Sequence, residues 1–274
     1  MNLFTFLLGL LLSVSIATLA YWRGSLSPSG AFGAMIAGTL VFGVGGLAWG
    51  ILLVAFFISS SALSHYKERA KEPLAEKFQK GHRRDLGQVI ANGGAGTLIA
   101  LAYALNPHPL WFVTFVGAMA TVNADTWATE LGVLSKSPPR LITTFRIVAV
   151  GTSGGVTSLG TLVAFCGALL IGLVQFAIPN SQLSIRDSQL LIVASAVAGL
   201  LGSLFDSLLG ATVQAIYFCD HDQKETESRV HRCGHATRLL RGWHWLDNDG
   251  VNFIASLAGS LIAVACFWAL TRVF

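Results

Sequence analysis

Eight long apolar runs, at roughly 2–22, 29–45, 47–64, 88–105, 109–126, 154–178, 189–217 and 251–271, leave this 274-residue chain little sequence outside them. A helix needs about 20 residues to cross the hydrocarbon core of a bilayer, so each run has the length of one passage or nearly so. Charged residues make up only 12% of the chain, about half the share of a soluble domain. The expectation is an all-α polytopic membrane protein with about eight transmembrane helices, forming a single integral membrane domain over 1–274. Only Gly43-Val44-Gly45-Gly46 separates the second run from the third. The first run lacks a basic leader and a small-residue cleavage site, so it reads as a retained helix rather than a signal peptide.

Charge placement orients the runs. Of the 18 Lys and Arg residues, seven fall in 65–87, three in 127–153 and five in 218–250, and Arg23 follows the first run. Eight alternating spans put all 16 on one side and leave Arg186 and Arg272 on the other. By the positive-inside rule that side is cytoplasmic. Polar groups gather towards the same side, so a cytoplasm-facing site is expected between loops 65–87, 127–153 and 218–250.

Three carboxylates stand inside or at the mouth of apolar runs: Asp125, Asp206 and Asp249. At bilayer depth such a group costs about 2.5–3.5 kcal/mol on insertion scales, so it is paired, metal-bound or facing water. Helical spacing aligns Ser203, Asp206, Ser207, Gly210, Gln214 and Tyr217 as one polar stripe on the seventh run. It does the same for Asp85, Gln88, Asn92 and Gly96 on the fourth, and for Asp249, Asn252, Ser256 and Ser260 on the eighth. Interhelical hydrogen bonding explains the Ser and Gln residues of these stripes but explains the Asp residues badly. Asp125 and Glu130 lie about 140° apart on an ideal helix and share one narrow site only if the helix bends or ends there. Gly132 and Pro138-Pro139 favour an ending.

The adjoining loops bring positive charge. Lys80, Arg83 and Arg84 lead into the fourth run, and Arg140 and Arg146 precede Thr152-Ser153-Gly154-Gly155. Basic side chains beside glycine-rich helix starts make a phosphate site. The starts read here are Asn92-Gly93-Gly94, Ser153-Gly154 and Asn248-Asp249-Gly250-Val251-Asn252. Carboxylates that hold Mg²⁺, with cations and amides that hold phosphate oxygens, are the equipment of phosphoryl transfer. Positive-inside topology or contact with anionic lipid accounts for Lys67, Arg69, Lys71 and Lys77 without a site. No Gly-x-x-x-x-Gly-Lys-[Ser/Thr] stretch occurs, which excludes a P-loop. In loop 218–250, Cys219, His231, Cys233 and His235 offer four donors for Zn²⁺, although their spacing matches no standard finger. A solvated His-rich loop is the alternative there.

Six stretches together resemble the integral-membrane family of plant and cyanobacterial phytyl-phosphate kinase, of the vitamin E pathway, and its animal transmembrane relative. They are Phe56–Ser61, Arg83–Gly94, Ala124–Glu130, Gly151–Gly155, Asp206–Thr212 and Leu246–Asn252. The resemblance implies a kinase that moves a phosphoryl group from a nucleoside triphosphate, CTP or ATP, to an isoprenyl monophosphate such as phytyl phosphate. In that reading Asp125, Asp206 and Asp249, with Glu130 as a further ligand, hold Mg²⁺ and the nucleotide phosphates. Lys80, Arg83 and Arg84 bind phosphate, as do Gly93, Gly94, Ser153 and Gly154, while Asn92, Asn248 and Asn252 orient it. The partners implied are nucleotide, isoprenyl phosphate lipid and membrane, with no nucleic acid and an open oligomeric state. A cytidylyltransferase acting on a lipid phosphate would use the same residues, and a cation or lipid-phosphate transporter is the rival from another class.

Overall fold

The computed structural model describes residues 3–66, 83–179 and 182–273, and Lys80 of the sequence reading lies outside them. Eight long helices run through the described residues: α1 Leu3–Trp22, α2 Pro28–Leu40, α3 Leu47–His65, α4 Leu86–Leu105, α5 Leu110–Gly132, α6 Ser158–Ala177, α7 Ile185–Thr212 and α8 Asn248–Val273. The chain is thus mostly helical and polytopic, as its apolar runs require. Seven of the eight, α2 counted together with the turn that follows it to Gly45, are long and apolar enough to cross a membrane; α5 is the exception.

Local chemistry fixes the helix ends. Pro28 opens α2 behind Ser27, whose side chain accepts the Gly30 amide at 3.1 Å. The end of α2 widens into a π-turn over Val41–Gly45, and Gly46, at φ 81°, then breaks the chain before α3. Asp85 and Gln88 form a capping box at the start of α4, each side chain accepting the other's backbone amide. Thr157, Ser184 and Asp247 accept the amides of Gly160, Asp187 and Gly250 at the starts of α6, α7 and α8.

Why α5 is less apolar follows from its place. It packs against α3, α4, α6, α7 and α8, and its ten residues from Phe115 to Ala124 are all buried. A helix hidden on every side meets protein rather than lipid. Its neighbours approach through small residues: a Cβ on Gly117 would stand 2.9 Å from the Gly259 carbonyl oxygen of α8, and Gly259 itself abuts Thr121. The outward faces of the other helices carry Leu7, Leu11, Leu98, Leu162 and Leu261, the surface a bilayer would cover.

Two small sheets decorate one end of the bundle. β1 (Arg140–Leu141) pairs antiparallel with β2 (Gly155–Val156), Arg140 opposite Val156. β3 (Ile216–Cys219) lies between β4 (Lys224–Thr226) and β5 (Arg238–Arg241). They correct three boundaries. Ser153-Gly154-Gly155 is a turn entering β2 rather than a helix start, because Gly154 takes φ 82° where a Cβ would strike Ala211. The seventh helix ends at Thr212, so Gln214 and Tyr217 lie beyond it, Tyr217 in β3. Loop 218–250 is folded, not merely solvated.

Candidate active site

The ends of α3, α5 and α7 and the starts of α4, α6 and α8 surround one cavity of about 330 Å³. Five carboxylates line it: Asp125 and Glu130 from α5, Asp206 from α7, Asp249 from α8, and Glu227 from the segment after β4. Among the described lining residues the one cationic side chain is Arg84. Asp125 Oδ1 accepts a hydrogen bond from Ser203 at 3.3 Å. Asp206 feels the charges of both Asp125 and Glu227, and its Oδ2 is buried without a protein hydrogen-bond partner. Glu227 Oε1 accepts from Ser153 Oγ at 2.8 Å and from Gln214 Nε2 at 2.9 Å. Glu130 Oε1 accepts from Ser64 Oγ at 2.6 Å. Arg84 donates to Ser61 Oγ at 2.8 Å, lies 5.6 Å from the Phe57 ring centre and senses the charge of Glu130. Five carboxylates against one lining guanidinium leave a large excess of negative charge, which half-buried groups relieve by binding a cation or by taking up protons.

Most of the residues singled out by sequence border this space: Arg84, Asn92, Asp125, Glu130, Ser153, Gly154, Asp206, Asn248, Asp249 and Asn252. Asp125 and Glu130 do so although they diverge on the helix, because the cavity wraps the last turns of α5 up to Gly132. Other residues are placed elsewhere. Arg83 stacks over Tyr21 at 5.7 Å and does not border the cavity. Gly93 and Gly94 lie in the second turn of α4 and beyond, so they offer no free helix start, and Gly94 packs near Phe253. Asn92 Nδ2 donates to the Gln88 carbonyl of its own helix at 2.9 Å. Arg140 and Arg146 do not line the cavity, and Arg140 instead donates to the Phe145 carbonyl. On α8, Ser256 and Ser260 are buried and bonded within the helix.

Sequence reading missed Glu227, Ser64 and Ser61. Glu227 reaches the cavity only because the β3–β4 hairpin folds back on the ends of α7 and β2, a long-range event with no periodic signal. Ser61 closes one of the stretches that carry the resemblance and Ser64 follows it, but neither has a role until Arg84 and Glu130 arrive opposite.

A second, apolar crevice of about 80 Å³ lies among α1, α2, α3 and α4. It shares Arg84, Gln88 and Asn92 with the polar cavity, so these side chains stand between an apolar and a charged space.

The Cys/His segment is not part of the cavity. Cys219, Asp222, His231 and Cys233 have donor atoms within 4.8 Å of one another. This group takes in Asp222 in place of the His235 of the sequence reading; His235 stacks on His221 with ring centres 4.2 Å apart and groups with His221 and Cys233.

Comparison with known proteins bears on the whole chain. A family model described as "Integral membrane protein DUF92" matches residues 11–260. Protein PGR of Arabidopsis thaliana is 36% identical over 278 residues, covering 94% of this chain and 95% of PGR. An uncharacterized membrane protein of Methanocaldococcus jannaschii is 31% identical, covering 89% of this chain and 87% of its own. Protein VTE6, chloroplastic, of Arabidopsis thaliana is 28% identical over 96% of this chain and 69% of its own. No solved structure matches.

Proposed function

The chain belongs to the DUF92 integral membrane protein family, and on that premise we propose that it is a membrane kinase that phosphorylates an isoprenyl monophosphate, such as phytyl phosphate, to the diphosphate with CTP or ATP. The observation that carries this reading is the charge pattern of the cavity: five carboxylates and Arg84 collected where the ends of six helices meet the segment after β4, beside a glycine turn. The resemblance to the phytyl-phosphate kinase family and the similarity to VTE6 support the lipid-phosphate substrate. The apolar crevice that meets Arg84, Gln88 and Asn92 supports it too, since a prenyl tail needs an apolar exit beside the phosphate.

The residues present suit Mg²⁺: the Oδ2 of Asp206 is buried without a partner and the cavity has an excess of negative charge. Asp125 and Asp206 would hold it, with Asp249 and Glu130 at hand, and it would supply neutralisation of the donor phosphate oxygens. The chain itself does the positioning. Arg84, held by Ser61, faces the cavity from the side of the crevice, where a guanidinium fork binds phosphate oxygens in pairs. An acceptor phosphate oxygen is already a nucleophile, so it attacks the γ-phosphorus without a general base. The bond from that phosphorus to the bridging oxygen breaks, and the nucleoside diphosphate leaves. The starts of α6 and α8 border the cavity, and the N-terminal end of a helix favours phosphate charge.

The positive charges of 65–87, 127–153 and 218–250 support a cytoplasm-facing cavity. Enzyme is favoured over transporter because the bundle below the cavity is filled. Trp49, Phe112 and Phe115 are fully buried, with Trp49 4.6 Å from Phe115 between ring centres. The test is product analysis with purified protein, CTP or ATP, Mg²⁺ and a panel of prenyl phosphates. Nucleoside diphosphate and prenyl diphosphate are expected. Release of pyrophosphate would identify cytidylyl transfer, and no turnover with any pair would overturn the enzyme reading.

A further inference from the structure

Strands of four, three and four residues make β3, β4 and β5 a very small sheet. Sheets of that size are marginal without a packed face or a cross-link. Its central strand is packed through Ile216, Tyr217 and Cys219, but the edge strand β5 leaves Leu239 and Leu240 exposed. Yet this unit has to be held firmly, because it delivers Glu227 to Ser153 and Gln214. It also brings Arg241 to the carbonyl oxygens of Gly210 at 2.8 Å and Ser153 at 3.4 Å.

At one end of the sheet two turns face each other. The first leaves β3 at Cys219 and reaches Asp222 before β4. The second is closed by the Val230–Ala236 bridge and by hydrogen bonds from the His231 amide to the His235 carbonyl, 2.9 Å, and from the Gly234 amide to the His231 carbonyl, 2.8 Å. It presents His231 and Cys233. Across the gap Cys219 Sγ and Cys233 Sγ are 3.6 Å apart, His231 Nδ1 and Cys233 Sγ 3.2 Å, and His231 Nδ1 and Asp222 Oδ2 3.1 Å. We propose that Cys219, Asp222, His231 and Cys233 form a structural zinc site that clips the two turns together and so fixes the β3–β5 unit over the cavity.

Three features support it. First, the edges suit a tetrahedron around zinc. With bonds of about 2.3 Å to sulfur and 2.0–2.1 Å to nitrogen and oxygen, neighbouring donors stand roughly 3.3–3.8 Å apart, within a few tenths of an ångström of those observed. Second, two of the four donors are protected, with Cys233 half-buried and Asp222 at the surface side. Cys219 and His231 are buried, and His231 Nε2 has no hydrogen-bond partner, so the ring is anchored through Nδ1 alone. Third, the Asp222 amide points at Cys219 Sγ at 3.5 Å, the kind of N–H···S contact that supports a metal-bound thiolate, and the other Asp222 oxygen is held by His221 at 2.6 Å. Two thiolates select zinc over the hard cations suited to the cavity. The other grouping of donors here, His221, Cys233 and His235, has three members and is largely exposed.

The site stands apart from the kinase reading and is tested without substrate. Untagged protein is purified in detergent from cells grown with zinc, and its metal content is measured by plasma mass spectrometry. About one zinc per chain is expected. The cobalt(II)-substituted protein should show the strong visible bands of tetrahedral cobalt with sulfur-to-metal charge transfer. Cys219→Ser with Cys233→Ser should lose both signals, and Asp222→Ala should weaken the cobalt bands. His235→Ala should leave both intact, which distinguishes this donor set from one that uses His235. If the double cysteine variant does not fold, wild-type stoichiometry and the His235→Ala spectrum still decide. Folded wild-type protein without zinc, or a Cys219–Cys233 disulfide found in it under non-reducing conditions, would overturn the proposal.

Discussion

α1 and α5 are both long helices of one membrane protein, yet they answer to different surroundings. α1 has the highest mean hydropathy of the seven apolar helices. It buries only a narrow stripe of small residues, Gly9, Ser13, Ala17 and Ala20, against α2 and the π-turn. α5 is less apolar yet buried all round over Phe115–Ala124, and it carries Asn123 there and Asp125, Thr126 and Glu130 where it lines the cavity. Hydropathy therefore reports contact with lipid rather than depth in the bundle. A helix enclosed by protein is free to carry polar groups, because its neighbours rather than hydrocarbon receive them. Asn123 shows how: its Nδ2 donates to the Gly167 carbonyl at 2.7 Å while its oxygen accepts from Ser59.

The largest effect that can break this contrast is on stability. Phe115 of α5 is fully buried against Trp49, so Phe115→Ala leaves a cavity and should lower unfolding free energy by about 3–5 kcal/mol. Leu11 of α1 is 64% exposed, and Leu11→Ala should change it by less than about 0.5 kcal/mol. Unfolding in mixed detergent micelles measures both. Equal losses would mean that the outer face of α1 is covered by protein rather than lipid.

Next comes activity. Asp206→Asn keeps the shape of the side chain that faces Asp125 and removes its charge. Under the kinase reading turnover should fall more than about a hundredfold while the protein stays folded. The comparable loss of a buried polar atom on α1, Ser13→Ala, should leave turnover unchanged. Near-normal activity in the Asp206 variant would return that residue to packing.

Sequence made the eight helices legible because lipid contact imposes long apolar runs, and the polar stripes because 3.6-residue spacing survives in any helix. Spacing aligns Asp206, Ser207 and Gly210 on one face of a helix, and all three line the cavity. Boundaries were less legible wherever tertiary contact decides them. Gly154 ends a turn because Ala211 leaves no room for a side chain, and α4 begins before its apolar run because Asp85 and Gln88 cap each other. The β3–β5 unit and Glu227 left no periodic trace, being made by turns and by contacts between residues far apart in the chain.

The two arginines before α4 sharpen the contrast at a smaller scale. Arg84 enters the cavity, whereas Arg83 lies on Tyr21 of α1. Arg84→Lys keeps the charge but loses the planar fork, and should reduce transfer about tenfold. Arg83→Lys should alter it less than twofold, because a cation over an exposed ring contributes only about 0.5–1 kcal/mol and survives the change. Equal losses in a phosphate-transfer assay would put the phosphate nearer α1 than the cavity does.

The smallest effect tests whether the peripheral pair has any part in function. α1 and α2 supply none of the residues that line the polar cavity, but they wall the apolar crevice that meets it at Arg84, Gln88 and Asn92. If the prenyl tail starts there, a larger side chain in the crevice should hinder the lipid and ignore the nucleotide. Ala34 of α2 lines the crevice and is only partly buried, so Ala34→Phe can enter the space without displacing a packed core. A misfitted methylene or two in an apolar pocket is worth about 1–3 kcal/mol, so KM for the prenyl phosphate should rise at least about fivefold. KM for the nucleotide should not move. A rise in both would mean that the substitution pushes α2 onto Arg84, whose carbonyl already lies against Gly30. A rise in neither would place the tail outside the α1–α4 crevice and leave the peripheral helices with only their lipid-facing role.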